Sequence, residues 1–142
     1  MTNSTVWSSD TMVEIKFEDR LGTVVILLDD SNRTLILLRS RESHWAPSQW
    51  GFPGGKIEDG ESPRAAAMRE TSEETTLDAT DLKIITFKHN LPCVAYYTRK
   101  YTGAVTIDHE HEDWQWVNSK EMDDYDVAPG VRELYDWVLK NE

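Results

Sequence analysis

Hydrophobic and polar positions follow three patterns along this chain, and each predicts a different element. Met12 to Phe17, "MVEIKF", alternates apolar and polar residues, the mark of a half-buried strand. "GTVVILLDD", beginning at Gly22, is a nearly continuous β-branched and apolar run, which predicts a central strand covered on both faces. "DDSNR" (Asp29 to Arg33) is turn chemistry, and "TLILLRS" follows it as a second strand, so the two read as a hairpin. "LKIITFKHN" from Leu82, "CVAYYTRKY" from Cys93 and "WQWV" from Trp114 read as further strands. The third pattern is helical: Val131, Leu134, Tyr135 and Val138 fall on one side of a helix over Pro129 to Asn141.

Between Arg41 and Gly60 there is no period, and Gly51, Pro53, Gly54, Gly55 and Gly60 mark a structured loop. Ser62-Pro63 then opens another helix, with serine as N-cap and proline at the first helical position. "AAAMRETSEET" extends it with good helix formers. "SKEM", at 119–122, suggests a short helical turn. The polar residues 1–10 read as a flexible N-terminal tail, and 11–142 as one domain. Strands divided by two well-separated helices predict the α/β class: an α/β/α sandwich, a mixed β-sheet flanked by helices.

Composition narrows the partners. A hydrophobic fraction of 39% and a charged fraction of 29% are ordinary for a globular chain with its own core. The net charge of -11 disfavours long nucleic acid, whose binding needs lysine and arginine against phosphates, and disfavours anionic membranes. It leaves a small phosphorylated substrate open, because bound metal ions can reverse the local sign. The single cysteine, Cys93, permits no intrachain disulfide, no signal peptide is visible, and the run "VVILL" is far too short to span a bilayer. A cytoplasmic location is therefore expected. No catalytic cysteine motif surrounds Cys93, which reads as a buried filler.

Candidate chemistry lies in the first helix. At roughly 100° per residue, Glu70, Glu73 and Glu74 share an arc of about 100°. Ala65, Met68, Thr71, Ser72 and Thr75 lie opposite, small enough to pack on a sheet. Like charges three and four residues apart cost a few tenths of a kcal/mol per pair. The dipole at the helix end disfavours them further. A divalent cation between them removes both penalties, and oxygen ligands suit Mg²⁺ or Mn²⁺. The alternative is a solvated acidic face. Gly54-Gly55 can bring backbone close to a ligand, with the Gly55 carbonyl as an extra donor. Glu61 stands eight residues before Arg69 and can pair with it, tying loop to helix.

This segment resembles the signature of the Nudix hydrolase superfamily, written GX5EX7REUXEEXGU with U a bulky apolar residue. Gly55, Glu61, Arg69, Glu70, Glu73, Glu74 and Leu77 agree, seven of nine defined positions across 23 residues. Thr71 stands where an apolar residue is usual, and Thr76 where a glycine is. A β-branched residue tolerates positive φ badly, at about 1–2 kcal/mol, so the helix is expected to exit with a different geometry. "WGFPGGKIEDGE" further resembles the MutT-like branch.

The resemblance implies cleavage of a pyrophosphate bond in a nucleoside diphosphate linked to another moiety. It implies Glu70, Glu73 and Glu74 as Mg²⁺ ligands, the Gly55 carbonyl assisting, with Arg69 and Glu61 structural. The general base comes from the helix in some members and from elsewhere in others. "DHEHEDWQWV" (Asp108 to Val117) resembles a segment before a late strand in short Nudix enzymes. It nominates Glu110 as extra ligand or base and Glu112 second, with a solvated acidic loop as the alternative, favoured for Glu112, His109 and His111. For substrate contacts, Arg39 and Arg41 can reach phosphates, and Trp45 and Phe52 head the aromatic candidates, with Trp50, Tyr97 and Trp114 behind them. His44 has no assignable role. The leading substrate is a (deoxy)nucleoside triphosphate, cleaved to monophosphate and pyrophosphate. ADP-ribose, dinucleoside polyphosphates and RNA 5′ ends are alternatives. So are a catalytically silent nucleotide-binding module and a plain acidic interaction domain. Monomer and homodimer are both compatible.

Overall fold

Two apolar strands in the middle of the chain set the layering. The computed structural model describes residues 22–86, 89 and 91–142, and the backbone of two earlier strands, β1 (Ser4–Ser8) and β2 (Thr11–Ile15). The apolar pair are β3 (Gly22–Leu27) and β4 (Thr34–Arg39). Successive side chains of a strand point to opposite faces. Val25, Leu27, Leu35 and Leu37 accordingly pack with Ala67 of helix α1 (Pro63–Thr75). Ile26, Leu28 and Ile36 pack with Leu134 and Val138 of helix α2 (Val131–Asn141). Both strands thus feed two cores, one under each helix, which makes the molecule an α/β/α sandwich.

The strands between those cores belong to two main ladders. β3 is bracketed by antiparallel β6 (Gly54–Lys56) and parallel β9 (Cys93–Thr98), with β8 (Lys83–Ile84) beyond β9. β4 is bracketed by β11 (His111–Val117) and β5 (Trp50–Gly51), both antiparallel. β7 (Asp78–Thr80) and β10 (Lys100–Thr102) form a separate ladder, and a 3-10 turn spans Glu121–Asp124. The apolar face expected on α2 is the buried one: Val131, Leu134, Tyr135 and Val138. Among the described residues no helix is long and apolar enough to cross a membrane.

Three expectations need correction. β3 and β4 are not a hairpin. The Asp29 turn forms, its Oδ1 accepting from the backbone of Ser31 and Arg33, but the ladder ends after one bridge, Leu28 to Thr34. Each strand is apolar on both faces and finds a longer partner elsewhere, β9 for β3 and β11 for β4. The aperiodic loop holds two short strands, β5 and β6, too brief for alternation to register. β1 stands inside the segment expected to be a flexible tail and pairs with β2 from Ser4–Ile15 to Ser8–Thr11. Its Thr5, Val6 and Trp7 are residues that favour strands. The end of the expected 12–17 strand, and residues 87, 88 and 90 of the strand expected from Leu82, lie outside the described residues.

Candidate active site

α1 begins as its sequence dictates and ends as it did not predict. The Ser62 hydroxyl accepts from the Ala65 amide at 3.0 Å, capping the first turn, with Pro63 following. At the far end Thr76 adopts the left-handed conformation, φ 62°, which the sequence reading denied to a β-branched residue. Two hydrogen bonds offset that cost. The Thr76 amide donates to Ser72 O at 2.9 Å, and its hydroxyl donates to Ala104 O at 2.5 Å. Thr76 therefore does what a glycine does at a helix C-terminus, and α1 keeps its register through Glu74.

The buried side of α1 also differs from expectation. Ala66, Ala67, Thr71, Glu74 and Thr75 are buried, while Ala65 and Ser72, both expected on the packing side, are exposed. Glu74 therefore faces inward, 4% exposed, although it is a carboxylate. Its Oε1 accepts from the Gly54 amide at 3.0 Å. Burial is the main force that pushes its pKa up, to about 9. The Gly54 N–H opposes the shift, and the neighbouring Glu70 and Asp108 carboxylates add to it.

Gly54 and Gly55 make this proximity possible. A Cβ on Gly54 would overlap the Thr23 backbone, and one on Gly55 would overlap the Glu70 carboxyl. Only glycine lets β6 lie between β3 and the acidic side of α1. Arg69 fastens the same region from outside. Its Nε and Nη2 donate to the two Glu61 oxygens at 2.7 and 3.0 Å, Nη1 donates to Glu70 and Glu73 at 3.0 and 3.1 Å, and Nη2 also donates to Lys56 O. The Arg69 hydrogen bond holds Glu61 below the usual carboxylate range.

Across from Glu74 comes the turn before β11. One oxygen each of Glu74, Asp108 and Glu110 lie within 4.8 Å of one another. Arg39, at the end of β4, is the nearby cation. Burial lowers its pKa, and Glu74 and Glu110 act against that. Its Nε donates to Trp45 O at 2.8 Å, and its guanidinium sits 5.1 Å from the centre of the Trp45 ring. Arg39, Trp45, Glu74 and Glu110 line a cleft of about 680 Å³ whose wall also includes Gly55 and Glu70. A second cavity of about 350 Å³ shares Arg39, Trp45, Gly54, Gly55 and Lys56 with it, and beyond these its wall is mostly apolar, with Phe52, Leu91 and Leu134.

The cleft gathers most of the nominated residues but not all. Gly55, Glu70, Glu74, Glu110, Arg39 and Trp45 line it, as do His44, His109 and His111. Phe52 lines only the apolar cavity. Glu73 is not on the cleft wall; its side chain is 56% exposed and paired with Arg69. Arg41 and Glu112 meet each other instead, backbone N to Oε2 at 3.3 Å, and neither lines either of these two cavities. Sequence reasoning missed Asp108 and Lys56. Asp108 is the first residue of the acidic segment that supplied Glu110, and Lys56 adjoins the glycine pair. Clustered oxygen donors beside a strand that only glycine lets approach so closely suit a hard divalent cation.

The NUDIX domain family matches residues 18–138. The chain belongs to that family. Among relatives of this Nudix chain, the 8-oxo-dGTP diphosphatase of Proteus vulgaris is 38% identical over 68 residues, 47% of this chain and 60% of the relative's length. The asymmetrical bis(5'-nucleosyl)-tetraphosphatase of Mus musculus is 30% identical over 108 residues, 66% of this chain and 70% of that protein. The fold is shared with the MutT NUDIX hydrolase from Burkholderia pseudomallei, at a TM-score of 0.74 and 19% identity over 84% of this chain and 97% of that one.

Proposed function

We propose that this Nudix chain is a Mg²⁺-dependent pyrophosphohydrolase, cleaving a nucleoside triphosphate to monophosphate and pyrophosphate. The observation that carries the reading is Glu74, a carboxylate buried beneath Gly54-Gly55 and facing Glu70, Asp108 and Glu110. Burying an ionised carboxylate among carboxylates is unfavourable, and a bound cation relieves that cost as a proton does in its absence. Glu70, Glu74, Glu110 and the Gly55 carbonyl are the residues that would hold Mg²⁺. When bound, the ion neutralises diphosphate charge and lowers the pKa of a water for attack at phosphorus.

The chain's own residues divide the substrate between the two cavities. Arg39 commits Nε to Trp45 and leaves its two terminal nitrogens for phosphate oxygens, where the acidic cleft meets the apolar cavity. The apolar cavity takes the base, with Phe52 as a wall and Trp45, 49% exposed, at the mouth. Glu110 accepts the proton of the attacking water or adds a ligand. Glu73 joins by leaving Arg69, since an exposed pair of this kind is worth only a few tenths of a kcal/mol.

The test is product analysis over a panel of nucleoside triphosphates, ADP-ribose and dinucleoside polyphosphates, with and without Mg²⁺. Turnover should require the metal and yield pyrophosphate from a triphosphate. Glu73→Gln should lower it roughly a hundredfold or more with the fold intact. Unchanged turnover removes Glu73 from the site. Preference for another member of the panel replaces the triphosphate as substrate.

A further inference from the structure

We propose that Asp108 and His111 form a positioning pair that fixes Glu110 in the cleft. This rests on the reading of Glu110 as a working residue of that site.

Glu110 is the third residue of the turn Asp108-His109-Glu110-His111, which is closed twice. The His111 amide donates to the Asp108 carbonyl at 3.3 Å, and the His111 ring Nδ1 lies 2.8 Å from Asp108 Oδ1. A carboxylate can only accept, so Nδ1 carries the proton. The ring is nearly buried, with its side chain 4% exposed against 19% for Asp108, so the second closure is held by packing on one side. The turn is also tied to the sheet, the Ser40 amide donating to Glu110 O at 3.1 Å. Immediately beyond, the register of β11 on β4 slips between His111 and Asp113, leaving Glu112 as the extra residue. Such a bulge re-aims the strand at its end and separates the turn from the regular alternation of β11.

Two features make this more than a stable turn. Asp108 is placed within 4.8 Å of Glu74 and Glu110, where a third like charge is unfavourable. Its hydrogen bond to His111 gives that placement a use. Glutamate is also long and flexible, and Glu110 sits in a turn rather than in a strand or helix. A reacting group needs its geometry fixed to a fraction of an ångström, and a misplacement of 1 Å can cost about a hundredfold in rate. The doubly closed turn supplies that rigidity at the backbone of Glu110.

The test separates the hydrogen bond from the charge. Asparagine at 108 keeps an oxygen that accepts from Nδ1, and asparagine at 111 offers an N–H where Nδ1 stood. With Mg²⁺ and the substrate found by the panel above, Asp108→Ala and His111→Ala should lower kcat about tenfold or more. KM should stay within about threefold, and Asp108→Asn and His111→Asn should recover most of the loss. Mn²⁺ affinity without substrate, read by calorimetry, should weaken in Asp108→Ala and His111→Ala no more than in Glu110→Gln, and should recover in Asp108→Asn and His111→Asn. An unchanged kcat in Asp108→Ala overturns the inference. So does an Asp108→Asn as impaired as the alanine variant together with weakened Mn²⁺ binding, which makes Asp108 a ligand. Glu110→Gln is the control. If kcat falls there but not in Asp108→Ala, only the positioning pair fails. If Glu110→Gln is unimpaired, Glu110 has no role and the pair has nothing to position. Asp108 is partly exposed, so its variants carry the test even if His111→Ala does not fold.

Discussion

The two helices cover opposite faces of the same strands with opposite kinds of surface. α2 buries Val131, Leu134, Tyr135 and Val138, each worth about 1.5–3 kcal/mol in transfer from water where it is a large apolar side chain. α1 buries Ala66, Ala67, Thr71, Glu74 and Thr75, of which three are polar. The strands beneath are equally apolar on both sides, so the sheet does not impose the difference. One face is built for cohesion. The other gives up cohesion to bury the Glu74 carboxylate near those of Glu70, Asp108 and Glu110.

The sharpest way to break this contrast is a pair of substitutions. Leu134→Ala should lower unfolding free energy by about 2–5 kcal/mol in urea and leave Mn²⁺ affinity of the folded protein unchanged. Glu74→Gln should do the reverse: stability near pH 7 not lowered but raised, because glutamine folds without taking up a proton, and Mn²⁺ binding weaker by at least about tenfold. If Glu74→Gln destabilises as severely as Leu134→Ala, the two faces are equivalent and the contrast fails.

A smaller effect comes from pH. Glu74 is pushed up to about 9 in the folded metal-free protein, from an ordinary value of 4.5. A carboxyl that holds its proton only when folded stabilises the fold fully below about 4.5, and this contribution is lost as pH rises through about 9. Thermal melts of the metal-free protein from pH 6 to pH 9.5 should therefore fall more steeply for the parent than for Glu74→Gln. Metal binding at pH 7 should release close to one proton, seen as a buffer-dependent heat, and almost none at pH 10. Equal slopes for parent and variant would mean that Glu74 is already ionised.

The smallest effect sharpens the account of α1. The Thr71 hydroxyl is buried with no hydrogen-bond partner. Thr71→Val has the same shape and removes that unpaired group, so it should raise stability by about 1 kcal/mol without touching turnover. A loss of stability would reveal a partner for the hydroxyl.

What could be read from the sequence was local. The cap at Ser62, the acidic run on α1 and the Glu61–Arg69 separation all depend on contacts within one helix and its adjoining loop. Spacing along the chain expresses such contacts directly. The apolar face of α2 was legible for the same reason. What was not legible depended on distant segments. Which partner β3 takes cannot be inferred from a strand that is apolar on both faces. Thr76 reads as a misfit until the Ala104 carbonyl, delivered by another part of the chain, is beside it. The inward turn of Glu74 required knowing that Gly54 brings an amide to meet it. Asp108 looked like one more acid in an acidic loop, because its neighbour Glu74 lies far away in sequence.

The parallel pairing of β3 with β9 has a consequence for how the molecule is assembled. Gly22 meets Cys93 and Leu27 meets Thr98, so the central strand waits for a partner synthesised about seventy residues later, and β4 waits longer still for β11. Closing loops of that length makes nucleation slow. Until both late strands arrive, β3 and β4 offer apolar edges on which a nascent chain can aggregate. Glu70 and Glu74 of α1 emerge from the ribosome well before Glu110, which shares the cleft with them, and so the cleft is among the last parts of the protein to come into being.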